Sequence, residues 1–199
     1  MTTKAIAVRT GKPVAGQVYH RGLTHYYPEL PDYITFDEAH ALFDACRGHV
    51  RDYLLLAVMW YAGLRVTEAL SVSLDCLRGN DLRVRGKGGK WRIVPLKAPL
   101  VTDLLRYGVA YKLDYHAKLF TITRSQAHRI INKYAVLAGI NRPVHCHLLR
   151  HGYAVNFLKQ MPNLVYLQEL LGHSSIETTR IYTRAALPDV RQALEKVEM

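Results

Sequence analysis

Apolar residues recur at helical spacing through most of the chain between residues 35 and 186. Thr35 and Glu38 have the spacing of a capping box, and Ala39, Leu42 and Phe43 follow at intervals typical of one helix face. The segment 50–61 is apolar almost all round, which predicts a helix buried in the core. Further helices are predicted from about Pro99 to Tyr111, from a cap at Ser125 to Gly139, from His147 to Leu158 and from Asn163 to Leu171.

Between residues 81 and 96 the helical period gives way to alternation. The segments 81–85 and 91–96 alternate between apolar and polar residues, and the glycine-rich, basic segment 86–90 separates them. This pattern predicts a β-hairpin with a basic tip. The expected fold is therefore mainly α with a small β-hairpin, an α+β domain over residues 34–186.

The two ends of the chain differ from this domain. Residues 1–33 contain glycines, prolines and scattered basic residues without a sustained period, and we interpret them as an irregular basic arm, either lying along a phosphate backbone or solvated. Residues 187–199 carry Val190, Ala193, Leu194 and Val197 at helical spacing. They predict a C-terminal helix whose apolar stripe needs a partner, on its own domain or on another subunit.

Charge and cysteine content narrow the function. Lys and Arg total 27 against 16 Asp and Glu, a formal net charge of +11. This excess favours a polyanionic partner, with a merely basic soluble protein as an equal alternative. Cys46, Cys76 and Cys146 are odd in number and widely spaced, so we expect neither a disulfide framework nor a metal site. Because no segment resembles a membrane span or a signal peptide, we expect a cytoplasmic protein without membrane contact.

Two pairs of residues are candidates for chemistry. Arg65 follows a buried helix and a glycine turn, and Glu68 lies three residues later, so a structural ion pair between them is the favoured interpretation. His147 and Arg150, also three residues apart, share one face near a predicted helix N-terminus. Free backbone amides and the helix dipole make such a position favourable for a phosphate.

Other candidates are less specific. His173 is predicted in a turn between two helices, where it is free to point at a ligand, whereas Tyr182 taken alone would be interpreted as core packing. Basic residues on the hairpin and on the helix that begins near 125 are suited either to DNA contact or to a solvated face. They are Arg83, Arg85, Lys90, Arg92, His128, Arg129 and Lys133.

Taken together, the motifs resemble the tyrosine recombinase, or phage integrase, family. The resemblance rests on Gly63-Leu64-Arg65-Val66-Thr67-Glu68-Ala69-Leu70, Gly86-Lys87-Gly88-Gly89-Lys90, His147-Leu148-Leu149-Arg150-His151, Leu171-Gly172-His173-Ser174 and Tyr182, in the family's order and at its usual separations over residues 35–185. It implies the fold of that family's catalytic domain and a site-specific recombinase that integrates, inverts or resolves DNA. It also implies independence from metals and nucleotide cofactors.

The resemblance assigns the central roles. Tyr182 matches the nucleophile, whose phenolic oxygen attacks the scissile phosphate to give a 3′-phosphotyrosine. Arg65 and Arg150 match the arginines that hold the non-bridging oxygens, a task suited to planar bidentate donors. Glu68 matches an acidic position that supports the site without taking part in the chemistry.

The resemblance also assigns the residues that transfer protons and the residue that donates a hydrogen bond to the phosphate. His147 matches the acid/base histidine, with His145 as a less favoured substitute. His173 matches a position that donates to the phosphate. Lys87 matches the lysine that protonates the leaving 5′ oxygen, and Lys90 is its competitor.

The partners follow from the resemblance as well. They are double-stranded DNA, further copies of the chain, and accessory DNA-bending proteins. The copies would form a tetramer on paired DNA sites, with the C-terminal helix of each docked on a neighbouring subunit. The family usually carries a separate N-terminal DNA-clamping domain, whereas this chain is similar in size to compact invertases that switch fimbrial promoters, or is a fragment. The alternatives are a catalytically silent DNA-binding regulator and a topoisomerase that needs no paired sites.

Overall fold

The computed structural model describes residues 19–20, 23–24, 32–173 and 177–186. Two short strands, β1 (Tyr19–His20) and β2 (Leu23–Thr24), pair antiparallel near the N-terminus. The remainder of the predicted arm 1–33, except for its last two residues, and the predicted C-terminal helix 187–199 lie outside the described residues. No helix in the described ranges is both long enough and apolar enough to cross a membrane.

The first helices follow the predicted pattern closely. They are α1 (Phe36–Cys46), α2 (Val50–Tyr61) and the single turn α3 (Val66–Ala69). The backbone N–H of Glu38 donates to Thr35 Oγ1 at 3.2 Å and that of Thr35 donates to the Glu38 carboxylate at 2.8 Å, which confirms the capping box. Helix α2 is buried from Leu54 to Trp60, so the prediction of a core helix is also confirmed.

The predicted hairpin is part of a three-stranded antiparallel sheet. Strand β4 (Asp81–Arg85) pairs with β5 (Trp91–Pro95), and β3 (Leu77–Arg78) adds to the other edge of β4. The pattern did not predict β3, because a strand of two residues has no measurable period. Alternate residues of β4 and β5 face the core, among them Leu82, Val84 and Val94.

The second half of the described chain is helical. Its helices are α4 (Ala98–Ala110), α5 (Arg124–Leu137), α6 (Cys146–Gln160), α7 (Leu164–Leu171), α8 (Glu177–Arg180) and α9 (Thr183–Ala186). The cap of α5 is Thr123 and not Ser125 as predicted. Gln126, three residues after Thr123, completes a reciprocal capping box, whereas the residue three after Ser125 is His128. The mainly helical α+β fold class is confirmed.

Helix α6 joins two hydrophobic clusters. The larger cluster contains side chains from α1, α2, the sheet, α4, α5 and the first turns of α6. The smaller contains Ala154, Val155 and Leu158 of α6, Leu167 and Leu171 of α7, and Tyr182 after α8. The first two turns of α6, which carry several of the candidate residues, therefore lie where the two clusters meet.

Close packing of α6 on α2 requires a glycine at position 152. A Cβ there would lie 2.4 Å from the carbonyl oxygen of Ile34 and 2.4 Å from a ring carbon of Trp60. We predict that Gly152→Ala lowers the free energy of unfolding by about 1–3 kcal/mol, the usual cost of overpacking a core, in urea denaturation. Gly48→Ala is the matched control, because a Cβ at position 48 meets no atom within 4 Å. Equal free energies of unfolding for the two variants would contradict this account of α6.

Candidate active site

The Glu68 carboxylate lies at the centre of the candidate site. Arg65 is the N-cap of α3, and Glu68 is the third residue of that helix. The backbone N–H of Arg65 donates to Glu68 Oε2 at 2.8 Å, and its Nη1 donates to Oε1 at 3.0 Å. The ion pair predicted between these two residues is therefore confirmed.

Two further arginines surround the same carboxylate. Arg92 donates from Nη1 and Nη2 to the two oxygens of Glu68 at 2.9 and 3.0 Å, and Arg150 Nη1 lies 3.6 Å from Oε2. The Glu68 side chain is only 3% exposed. Burial by itself raises the pKa of a carboxyl, but hydrogen bonds from Arg92 and from the Arg65 backbone outweigh it, so the pKa of Glu68 is lowered. Glu68 is thus an ionised carboxylate that neutralises part of an arginine cluster.

Arg92, which is predicted to contact DNA, is held by contacts within the protein. Besides its two bonds to Glu68, its Nε donates to the carbonyl oxygen of Leu170 at 2.8 Å, and its side chain is 11% exposed. Because side chains alternate along β5, Arg92 points away from the face that exposes Trp91 and Ile93. Each of the three nitrogens that carry its donors makes a hydrogen bond within the protein, and contact of Arg92 with DNA stays a prediction.

Arg150 is buried and oriented by two backbone carbonyls. Its Nη1 donates to the oxygen of Gly63 and its Nη2 to that of Leu171, each at 2.6 Å. Burial, and then the charge of Arg65, lower the pKa of Arg150 to about 9, against the attraction of Glu68. The guanidinium is therefore still charged at neutral pH. Gly63 has a positive φ of 59°, and a Cβ on it would lie 2.5 Å from the Tyr153 ring.

His147 and His173 lie beside this arginine cluster. Part of the His147 ring is open to solvent, yet the protein packed around it, and then the charges of Arg150 and Arg65, lower its pKa. Burial, followed by the same two arginines, lowers the pKa of His173 to about 4. Nδ1 of His173 is 2.9 Å from Thr179 Oγ1, so one ring nitrogen has a partner within the chain, and contact of His173 with a ligand stays a prediction. Both imidazoles are uncharged at neutral pH.

Tyr182 is packed inside the smaller cluster of its own chain. It is 2% exposed, and its hydroxyl lies 2.7 Å from Nδ1 of His151. Burial raises the pKa of Tyr182, against the opposing charges of Arg150 and Arg65. The predicted nucleophile is therefore a protonated phenol close to the arginine pair.

The base of the β4–β5 hairpin lies against the same cluster. A Cβ on Gly86 would be 3.5 Å from Arg92 Nη1 and 3.8 Å from Glu68 Oε1. Lys87 begins a 3₁₀ turn that ends at Gly89, but its side chain lies outside what the structure describes. Lys90 is exposed at the end of the turn. The competition between Lys87 and Lys90 for the role of proton donor therefore stays a prediction.

Most of the other predicted DNA contacts are at the surface. Arg83 and Arg85 are exposed on the outer face of β4, and the Arg83 guanidinium lies 5.1 Å from the centre of the Trp91 ring. Arg129 and Lys133 are exposed on α5, whereas His128 is half-buried. Their contact with DNA stays a prediction.

Three residues near the site had no role assigned from the sequence, or only a secondary one. Arg124, at the start of α5, and His145, the N-cap of α6, are both close enough for their charges to lower the pKa of His128 and His147. His151 stands directly after Arg150 and contacts Tyr182. The only signal in the sequence was the spacing of His151 four residues after His147, which places both on one helix face but does not show what they face.

The geometry as a whole suits an anion next to a phenol. Arg150 is anchored behind the site, and the Arg65 side chain, 29% exposed, remains accessible beside it. Two guanidiniums fixed in this way match the oxygens of a phosphodiester. The charges of both arginines reach Tyr182 and oppose the rise of its pKa, so the arrangement places a phenol near a site suited to an anion.

Comparison with known proteins finds matches to one protein family. Residues 32–187 match the phage integrase family. A tyrosine recombinase from Pseudothermotoga lettingae is 33% identical over 175 residues, covering 84% of this chain and 61% of the relative. The crystal structure of XerA recombinase superposes with a TM-score of 0.73 at 29% identity, covering 86% of this chain and 68% of that chain.

A second solved structure includes nucleic acid. The XerH site-specific recombinase, bound to palindromic difH substrate in a post-cleavage complex, superposes with a TM-score of 0.72 at 25% identity, covering 84% of this chain and 54% of that chain. XerH from Campylobacter jejuni is 33% identical over 172 residues, covering 78% of this chain and 49% of the relative. The chain thus spans less than two thirds of the length of these curated relatives.

Glu68 gives the clearest test of how the site is held together. Glu68→Gln keeps the shape of the side chain but leaves three arginines without their shared anion, so we predict a loss of about 3–5 kcal/mol in the free energy of unfolding, measured by urea denaturation. The matched control is Glu38→Gln, because Glu38 pairs with Arg142 at 2.8 Å but is 26% exposed, and its loss should stay below about 1 kcal/mol. Equal losses of unfolding free energy in the two variants would show that the buried Glu68 stabilises the fold no more than the partly exposed Glu38.

Proposed function

Because the chain belongs to the phage integrase family, we propose that it is a site-specific tyrosine recombinase that cleaves and rejoins DNA through a 3′-phosphotyrosine intermediate. The family resemblance inferred from the motifs is confirmed by the match over residues 32–187. The observation that carries the proposal is the position of Tyr182, buried in its own chain close to Arg65 and to the buried Arg150.

The proposed first step is attack by the Tyr182 oxygen on the scissile phosphate. The pentacoordinate transition state carries more negative charge than the phosphodiester, so fixed cations stabilise it more than they stabilise the ground state. In this proposal Arg65 and Arg150 hold the non-bridging oxygens, and His173 donates a further hydrogen bond. Glu68 keeps the two arginines in place.

Proton transfer completes the step. The bond from phosphorus to the 5′ oxygen breaks as the bond to Tyr182 forms, and the leaving oxygen needs a proton. We assign that proton to Lys87, with Lys90 as its competitor, and assign to His147, the acid/base histidine, the phenolic proton that Tyr182 loses as it attacks. The protein–DNA ester keeps the energy of the broken phosphodiester, so a 5′-hydroxyl can reverse the reaction without a nucleotide cofactor.

The proposed substrate is double-stranded DNA. The formal charge of +11 supports it, as do the exposed basic side chains of the hairpin and of α5. We further propose that the chain acts as a tetramer on paired DNA sites, with accessory DNA-bending proteins, at the nucleoid in the cytoplasm. The catalytically silent regulator is the less favoured alternative, because each matched motif position holds a chemically competent residue.

A covalent adduct is the direct test of this function. The protein is incubated with a pool of random-sequence duplexes, each nicked so that cleavage releases a short fragment with a free 5′-hydroxyl and cannot be reversed. The adducts that survive denaturation are collected and sequenced. We predict adducts with the wild-type chain and none with Tyr182→Phe, because the variant lacks the attacking oxygen.

The exposed tyrosine of α7 supplies the matched control. Tyr166→Phe changes a side chain in a residue that is 54% exposed, away from the arginine cluster, and should form adducts like the wild type. A wild-type chain that binds the recovered DNA but forms no adduct would favour the silent regulator over the recombinase.

A further inference from the structure

One contact of Tyr182 has no place in the mechanism above. Its hydroxyl lies 2.7 Å from Nδ1 of His151, and the centroids of the two rings are 5.4 Å apart. His147, the histidine assigned to acid/base work, also contacts His151, with the two imidazoles edge to face at 4.7 Å. His151 therefore contacts both the nucleophile and the assigned acid/base histidine.

The charge states of the pair, together with the tautomer of His151, decide the direction of this hydrogen bond. The Tyr182 phenol is protonated at neutral pH, since burial raises its pKa. Burial, and then the charges of His147, His145 and Arg150, lower the pKa of His151 to about 4, opposed only in part by Asp32. An uncharged imidazole has one nitrogen that accepts, and here the phenol O–H is the available donor. In the tautomer of His151 that carries its proton on Nε2, Tyr182 donates to Nδ1.

The geometry points to His151 as the positioning residue for Tyr182: by accepting the phenolic hydrogen bond at Nδ1, it orients the lone pairs of the attacking oxygen towards a phosphate held by Arg65 and Arg150. This inference rests on the proposed function. Its physical basis is that a small displacement of an attacking nucleophile lowers the reaction rate far more than it lowers substrate affinity.

The covalent arrangement of α6 supports a positioning role. Arg150 and His151 are consecutive residues on one buried helix, and Gly152 after them packs against Trp60 without room for a Cβ. Arg150, which would hold the phosphate, and His151, which would accept from Tyr182, are therefore held at a fixed separation by a single helical turn. Any shift of α6 moves both groups together.

The weak basicity of His151 argues against a role as general base. A phenol with a raised pKa does not pass its proton to an imidazole whose pKa is about 4, because the transfer is strongly uphill. Hydrogen-bond acceptance does not need that transfer. The groups that face His151 are His147, His145 and Arg150 from its own helix and cap, and Tyr182 and Asp32 from neighbouring segments. None of these makes His151 a stronger base except Asp32.

Two substitutions of His151 separate acceptance from simple space filling. His151→Phe keeps a flat ring but removes the acceptor, whereas His151→Asn places an amide oxygen near the position of Nδ1. In single-turnover cleavage of a nicked duplex we expect His151→Phe to be slower by about 100-fold with unchanged DNA affinity. His151→Asn should recover most of the lost rate, although an amide cannot act as a base.

A measurement without DNA tests the same contact independently. Hydrogen–deuterium exchange over residues 179–186 should be faster in His151→Phe and in Tyr182→Phe, and no faster in the double variant than in either single one, because both changes break one hydrogen bond. His151→Asn should exchange like the wild type. Exchange in His151→Phe that matches the wild type would overturn the inference even if no DNA substrate were cleaved.

The cleavage assay has its own contradicting outcomes. The inference is wrong if His151→Phe cleaves at the wild-type rate, or if His151→Asn is as slow as His151→Phe while its exchange is normal. Absence of an adduct with the wild-type chain would instead count against the proposed function, and the exchange measurement would then decide the role of His151 in holding Tyr182.

Discussion

A buried carboxylate shared by three arginines is the interaction on which the rest of this structure depends. Glu68 pairs with Arg65 of its own helical turn, with Arg92 from the sheet and with Arg150 from α6. All three guanidiniums lie within 3.6 Å of the Glu68 carboxylate. Without the negative charge of Glu68, they would repel one another in a site with little water to screen their charges. One side chain thus joins segments that are far apart in the sequence and fixes the hairpin against the helices.

The same cluster determines the chemistry of its neighbours. Three arginines and one carboxylate leave a positive excess, and after burial this charge is what lowers the pKa of His173 and contributes to lowering that of His147. These imidazoles are therefore neutral donors or acceptors and add no charge of their own. The positive field that is suited to a phosphate is in place before any anion binds, so little reorganisation is needed if negative charge develops there.

Local patterns predicted much of the fold, and long-range contacts account for what they missed. The Thr35–Glu38 capping box, the buried helix at 50–61 and the hairpin each depend on neighbours within a few residues. Arg92 was assigned to DNA because it stands beside a basic tip, and only its three internal hydrogen bonds show that it faces inward. The contact of His151 with Tyr182 joins residues 31 positions apart, which no local period encodes.

One chain alone brings its tyrosine near its own arginines, which Glu68 holds together. The most direct measurement mixes two inactive variants, Tyr182→Phe and Arg65→Gln, carrying tags of different size, and scores covalent adducts on nicked DNA. If each tyrosine works with the arginines of its own chain, the mixture forms no more adduct than either variant alone. Adduct on the Arg65→Gln chain, appearing only in the mixture, would mean that tyrosine and arginines come from different subunits and would contradict the account.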